Sequence, residues 1–140
     1  MDISSTYALN NGVKIPVLGF GTWQLNYQEG KKAVGQALKS GYRLIDTAAY
    51  YQNEAEVGEA IRASGISRSE IFVATKLWNS DHFMAKEAFE KSLANLGLGY
   101  IDLYLIHWPV PERLESWKTL EKLLGTGKVK SIGVSNFTIR

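Results

Sequence analysis

From Val17 onward, short apolar runs alternate with longer stretches in which apolar residues recur at helical spacing. Val17 to Thr22 predicts a short buried strand. Tyr27 to Ser40 carries Ala33, Val34, Ala37 and Leu38 on one face and is followed by Gly41, a helix with a glycine stop. Leu44 to Asp46 predicts a second strand. Glu54 to Ser64 places Val57, Ala60 and Ile61 on one face before Gly65, a second helix. Ile71 to Lys76 predicts a third strand. Ser80 or Asp81 is the expected cap of a third helix with the stripe Ala85, Ala88, Phe89, Leu93 and Leu96. Ile101 to Ile106 predicts a fourth strand, Leu114 to Gly125 a fourth helix around Trp117, Leu120 and Leu124, and Ser131 to Val134 a fifth strand. Ahead of this series, two alternating segments flank Asn10-Asn11-Gly12. An Asn-Gly pair between such segments predicts a hairpin over residues 6–16, because both residues tolerate positive φ.

The expected strand ends, near Thr22, Asp46, Lys76, His107 and Ser135, lie about 25 to 30 residues apart, the length of one strand–helix unit. Strands alternating with helices imply a parallel sheet covered by helices. Two architectures of the α/β class satisfy this pattern: a doubly wound open sheet and a (β/α)8 TIM barrel. Periodicity does not separate them. A complete barrel takes about 250 residues. The 140 residues here therefore correspond either to an open five-stranded domain or to a piece of a larger barrel.

Composition narrows the function classes. The net charge of +2 comes from 16 basic and 14 acidic residues mixed along the chain, so no nucleic-acid or membrane partner is expected. The chain has no cysteine, which excludes disulfides, thiolate metal ligands and cysteine nucleophiles. The first twelve residues lack the layout of a signal peptide. The longest apolar stretch, Ile101 to Val110, is about half the roughly 20 residues that span a bilayer. A cytoplasmic protein is expected.

The candidate chemistry lies where polar residues end apolar strands. Asp46 ends Leu44-Ile45, Lys76 ends the run from Ile71, and His107 ends Leu103-Tyr104-Leu105-Ile106. Tyr51 follows Asp46 by five residues. If the second, third and fourth strands are neighbours, these residues meet at the carboxyl edge, where parallel α/β folds place their sites. Singly, each has an ordinary reading: a turn aspartate, a lysine reaching solvent, a core histidine, a loop aromatic. Packing alone does not readily put polar residues at the ends of three consecutive strands. An Asp46–Lys76 ion pair would lower the cost of burying either charge. The ammonium is expected to lower the Tyr51 pKa from about 10 and make it a proton donor near neutral pH. His107 would orient a substrate oxygen. Proton delivery to a carbonyl oxygen is half of a reduction, and no side chain supplies the hydride, so a nicotinamide cofactor is implied.

Gly19 and Gly21 flank the end of the first strand and could admit a cofactor to the backbone, although Gly-Phe-Gly-Thr-Trp is not a dinucleotide fingerprint. Trp23, Trp78 and Trp108 each follow a strand end, as pocket walls or as core. His82 is read as a surface residue. With His107 the only other histidine, no metal site is expected.

The segments Leu44 to Glu54, Lys76-Leu77-Trp78, Asp102 to Pro109 and Gly133 to Phe137 resemble, in order, the signature motifs of the aldo-keto reductases. The resemblance covers essentially the whole chain. It implies the first five strands and four helices of a (β/α)8 TIM barrel whose N-terminal hairpin plugs the bottom, residues 1–140 forming its N-terminal half. It implies Asp46, Tyr51, Lys76 and His107 as catalytic residues, with Tyr51 the proton donor. Gly21, Thr22, Asp46, Ser135 and Asn136 are implied at the cofactor, NADPH or alternatively NADH, and Trp23, Trp78 and Trp108 around the substrate. The segment between Pro109 and Trp117 is similar to that of bacterial and plant members such as diketogluconate, glyoxal and methylglyoxal reductases. The implied reaction is reduction of a small aldehyde or ketone. Two alternatives stand beside it: a module that binds cofactor as a partner of other proteins, and an incomplete barrel fragment that associates with itself or with its missing C-terminal half.

Overall fold

A computed structural model describes residues 2–139. Two short strands, β1 (Thr6–Ala8) and β2 (Lys14–Pro16), form an antiparallel hairpin. Five strands then make one parallel sheet: β3 (Gly19–Gly21), β4 (Leu44–Asp46), β5 (Phe72–Leu77), β6 (Ile101–Ile106) and β7 (Val129–Val134). Four helices connect them: α1 (Tyr27–Lys39), α2 (Glu54–Ala63), α3 (Ala85–Leu96) and α4 (Arg113–Leu124).

The sheet order is β3-β4-β5-β6-β7, the same as the order along the chain. A doubly wound sheet reverses its strand order at a switch point. No reversal occurs among the described strands, and each helix packs on the next. The arrangement is a singly wound segment of a barrel, which decides between the two architectures that periodicity leaves open.

Burial follows the pleat. Ile45, Val73, Leu77, Tyr104 and Ile106 turn to the helices and are buried with Val34, Val57, Phe89, Leu96 and Leu120 in one core. Leu44, Leu103 and Leu105, on the other face, are only partly buried. Asp46 and Lys76 share that second face by alternation.

Several local expectations change. The sheet pairs only Gly19–Gly21 within the first predicted strand, because Val17 N–H bonds back to Ser5 in the hairpin segment. The hairpin turn is a three-residue loop in which Gly12 (φ 83°) takes the left-handed conformation and Asn11 does not. Asn11 instead sends its amide to the Lys130 carbonyl (3.0 Å) and Ser131 Oγ (3.2 Å), tying the hairpin to the amino end of β7. Neither Ser80 nor Asp81 caps the third helix. A 3₁₀ turn, Asn79–Met84, intervenes, and α3 begins at Ala85 with no side-chain cap. In α4, Ser116, Leu120 and Leu123 face the core, and Leu124 is exposed.

Helices α2 and α3 approach most closely at Gly58. A Cβ there would overlap the Leu96 carbonyl oxygen, which already accepts from Arg62 Nη1 at 2.6 Å. Alanine at this position gains about 1 kcal/mol of helix propensity but must push apart two backbones, at a typical overpacking cost of about 1–3 kcal/mol and occasionally more. Because the overlap is with backbone, the cost falls at the upper end, a net of about 2 kcal/mol, and Gly58→Ala is expected to lower the thermal unfolding midpoint by roughly 5–8 °C. An unchanged midpoint would show that the helices can separate freely.

Candidate active site

Strand register brings the predicted residues together. Asp46 pairs with Ala74, and Lys76 lies two residues further along β5 on the same face. The Lys76 ammonium donates to both Asp46 oxygens at 2.7 Å and to the Thr47 carbonyl at 2.9 Å. An ammonium has three protons. All three are used, which makes the burial of Lys76, 6% exposed, tolerable.

Tyr51 ends a 3₁₀ turn, Ala49–Tyr51, that follows β4. Its ring centroid is 5.2 Å from Lys76 Nζ and 5.8 Å from the His107 ring, which it meets edge-on. No hydrogen bond joins Tyr51 to Lys76 among those described. The expected lowering of its pKa is not found. Burial raises it above the usual tyrosine value, and the Asp46 carboxylate raises it further. Lys76 does not reverse this because Asp46 neutralises its charge at contact distance. His107 is shifted below the ordinary imidazole value by burial first and by Lys76 second, with Asp46 opposing. Its Nδ1 is buried without a partner.

A cleft of about 650 Å3 opens above these groups, lined by Trp23, Tyr50, Tyr51, Trp78, Asn79, His107, Trp108 and Asn136. All three predicted tryptophans line it. Tyr50, which sequence reasoning missed, stacks on Trp78 at 3.8 Å and on Trp23 at 5.6 Å. Its only signal was its place beside Tyr51. Asn53 was also missed as a site residue. It occupies the position before α2 where asparagine commonly caps, yet makes no side-chain cap. It accepts from Thr47 Oγ1 (2.8 Å) and donates to the carbonyls of Thr22 and Leu25, locking the loops after β3 and β4 together.

The residues implied at a cofactor divide. Asn136, left-handed at φ 62°, donates to the His107 carbonyl and lines the cleft beside Ser135. A Cβ on Gly21 would meet nothing within 4 Å, so space is open there, whereas Gly19 packs tightly on Leu44. Thr22 is fully buried, and its hydroxyl donates to the Asp46 carbonyl. Aromatic walls, an open glycine edge and the unpartnered Nδ1 of His107 and Oδ1 of Asn79 fit a flat, amide-bearing ring.

His82 is not a surface residue. It is buried, and burial shifts it below the ordinary imidazole value. The extra 3₁₀ turn ahead of α3 directs it inward against α4.

A parallel, singly wound sheet with an aspartate–lysine pair, a tyrosine and a histidine at its carboxyl edge is the architecture of a partial α/β barrel. Residues 17–140 match the sequence profile of the Aldo/keto reductase family, and the chain belongs to that family. Its sheet and helices are therefore part of a (β/α)8 TIM barrel. It is 53% identical over 134 residues to morphine 6-dehydrogenase of Pseudomonas putida, covering 92% of this chain and 45% of that one. It is 49% identical over 134 residues to methylglyoxal reductase DkgA of Escherichia coli K12, covering 94% and 49%. The Bombyx mori aldo-keto reductase solved in complex with NADP superposes with a TM-score of 0.90 at 40% identity, covering 98% of this chain and 52% of that one. The chain spans about half the length of the curated relatives it matches.

Both histidines resist protonation in the folded state. Above the unfolded imidazole value of about 6.5, the two states hold the same protons at these sites. As pH falls through that value, the unfolded chain binds protons that the folded chain refuses, so stability is lost. NMR titration is expected to show both imidazoles titrating below 6.5, with the unfolding midpoint decreasing over the same pH range. An imidazole that titrates above this value would contradict the burial argument.

Proposed function

We propose that this chain carries the catalytic residues of a carbonyl reductase that uses a nicotinamide cofactor, NADPH with NADH as the alternative, to reduce small aldehydes or ketones to alcohols. The observation that carries the reading is the convergence of Asp46, Lys76, Tyr51 and His107 beneath an aromatic cleft. The NADP bound in the Bombyx mori relative supports the cofactor, and the DkgA relative supports small aldehydes as substrates.

When bound, the cofactor supplies hydride to the carbonyl carbon. Gly21, Ser135 and Asn136 are the residues that would hold it, with Asp46 beneath and Thr22 supporting the loop. Tyr51 is the acid. Its raised pKa keeps the phenol protonated at neutral pH, so a proton is available for the carbonyl oxygen as negative charge develops there. The Lys76 ammonium lies 5.2 Å from the Tyr51 ring centroid, and Asp46 holds it in place and offsets its charge. His107, kept neutral by burial, can donate a hydrogen bond that orients the substrate oxygen. Trp23, Trp78 and Trp108 exclude water and present flat apolar walls. The setting proposed is the cytoplasm. No helix among the described residues is long and apolar enough to cross a membrane.

A second reading has one observation behind it. β3 and β7 each have a neighbour on one side only, and the inner face of the sheet is incompletely covered. Such edges recruit further strands. By light scattering, the 140-residue chain alone is expected to associate and to show little turnover. A stable monomer that reduces methylglyoxal at an enzymic rate would sink the fragment reading.

In the active protein, Tyr51→Phe is expected to lower turnover of methylglyoxal by about 10²–10⁴-fold while NADPH binding by fluorescence titration persists. Unchanged turnover would assign the proton to another group, His107 first.

A further inference from the structure

Among the buried titratable side chains with no part in the proposed reaction is His82. His82 lies in the turn Asn79–Met84, directly after Trp78, and Trp78 and Asn79 form one wall of the cleft. Ser116, fully buried in the first turn of α4, shares a 2.6 Å hydrogen bond with His82 Nδ1. The same hydroxyl lies 3.3 Å from the His82 carbonyl oxygen and 3.3 Å from that of Glu112. Among the described residues, the side-chain hydrogen bonds tying residues 78–84 to another element are those between His82 and Ser116.

The base of this wall is fixed by the sheet, where the Leu77 carbonyl, one residue before Trp78, accepts from His107 N–H at 3.2 Å; beyond it little of a directional kind holds residues 78–84. Asn79 Oδ1 has no partner. Phe83 and Met84 are 84% and 60% exposed, so the large apolar side chains of the turn do not anchor it to the core. Trp78 is held by ring contacts, at 3.8 Å to Tyr50 and 5.3 Å to His107. The opposite wall, His107 and Trp108, begins the loop that leads into α4. A bond from His82 to α4 therefore joins the segments that carry the two walls.

We infer that His82 and Ser116 are positioning residues whose hydrogen bond holds the outer part of the Trp78–Asn79 wall, beyond its sheet-paired base, in place opposite Trp108, and so sets the affinity of the cleft for its carbonyl substrate. The inference rests on the cleft being the substrate site proposed above. The imidazole suits the task because burial keeps it neutral, so the bond is not traded for a solvated charge at ordinary pH.

The test compares His82→Leu, Ser116→Ala, the double variant and His82→Asn, whose amide can replace Nδ1. Affinity for benzyl alcohol, a flat alcohol of the proposed product class, is measured by calorimetry. KM and kcat for methylglyoxal are measured alongside, and every measurement is made on the active protein. The Leu and Ala variants are expected to lose about 2- to 10-fold in affinity and to gain a similar factor in KM, with kcat nearly unchanged. The double variant should be no weaker than either single one, and His82→Asn should restore binding. A lower melting temperature with unchanged affinity and KM overturns the inference, as does a loss that asparagine does not rescue. If His82→Leu fails to fold, Ser116→Ala decides. An unaltered protein that binds benzyl alcohol without reducing carbonyls sinks only the reductase reading, and the affinity comparison still judges the pair. No binding by the unaltered protein overturns the inference itself.

Discussion

A buried ammonium needs three acceptors, and supplying them to Lys76 organises the carboxyl edge of this sheet. Left unpaired at 6% exposure, the charge would cost several kcal/mol. Asp46 reaches it because β4 and β5 are neighbours in register, and Thr47 adds its carbonyl because the chain continues extended past β4. Thr47 is in turn held by Asn53, and Asn53 binds the loop that follows β3. Tyr51 sits on the short turn between these two fixed points. Its position is thus determined from both sides by hydrogen bonds that begin with the need to satisfy one lysine.

The same saturation sets the electrostatics. A lysine facing Tyr51 without a counterion would pull the phenol toward ionisation. With Asp46 in contact, the pair presents little net charge, and burial together with the carboxylate keeps the phenol protonated. His107 is held neutral by burial and by the nearby ammonium. Two groups that must carry protons for the proposed chemistry are therefore both in their neutral forms. The one strongly ionic element beneath them is internally paired. Two of the buried polar atoms without partners, Nδ1 of His107 and Oδ1 of Asn79, belong to residues of the cleft wall.

Asp46, Lys76 and His107 were legible because each interrupts an apolar run at its end, where one polar residue stands out. The tryptophans were legible because each follows a strand end. Tyr50 and Asn53 were not, because they lie in a polar loop where neighbouring residues carry equal weight and only the folded path selects which side chain turns inward. His82 was misread on similar grounds. Asn79-Ser80-Asp81 has the composition of a helix cap, yet the chain inserts an extra turn that buries the histidine against Ser116. The Tyr51 shift was misjudged because proximity to lysine was weighed without the partner that neutralises it.

The amino-acid sequence by itself determined the alternation of strands and helices and the polar residues at the strand ends. It also determined, through motifs resembling a known family, the class of barrel. These are local properties: side-chain period follows from backbone geometry, and a motif is a contiguous string. Tertiary structure alone decided that the strands lie in chain order, that Asn11 clamps the hairpin to β7 and that His82 is buried. It likewise decided that Lys76 spends all three protons before any reaches Tyr51. Those outcomes depend on which edges pair and which distant groups compete for the same hydrogen bond, and residues far apart in the chain enter that competition only once it is folded.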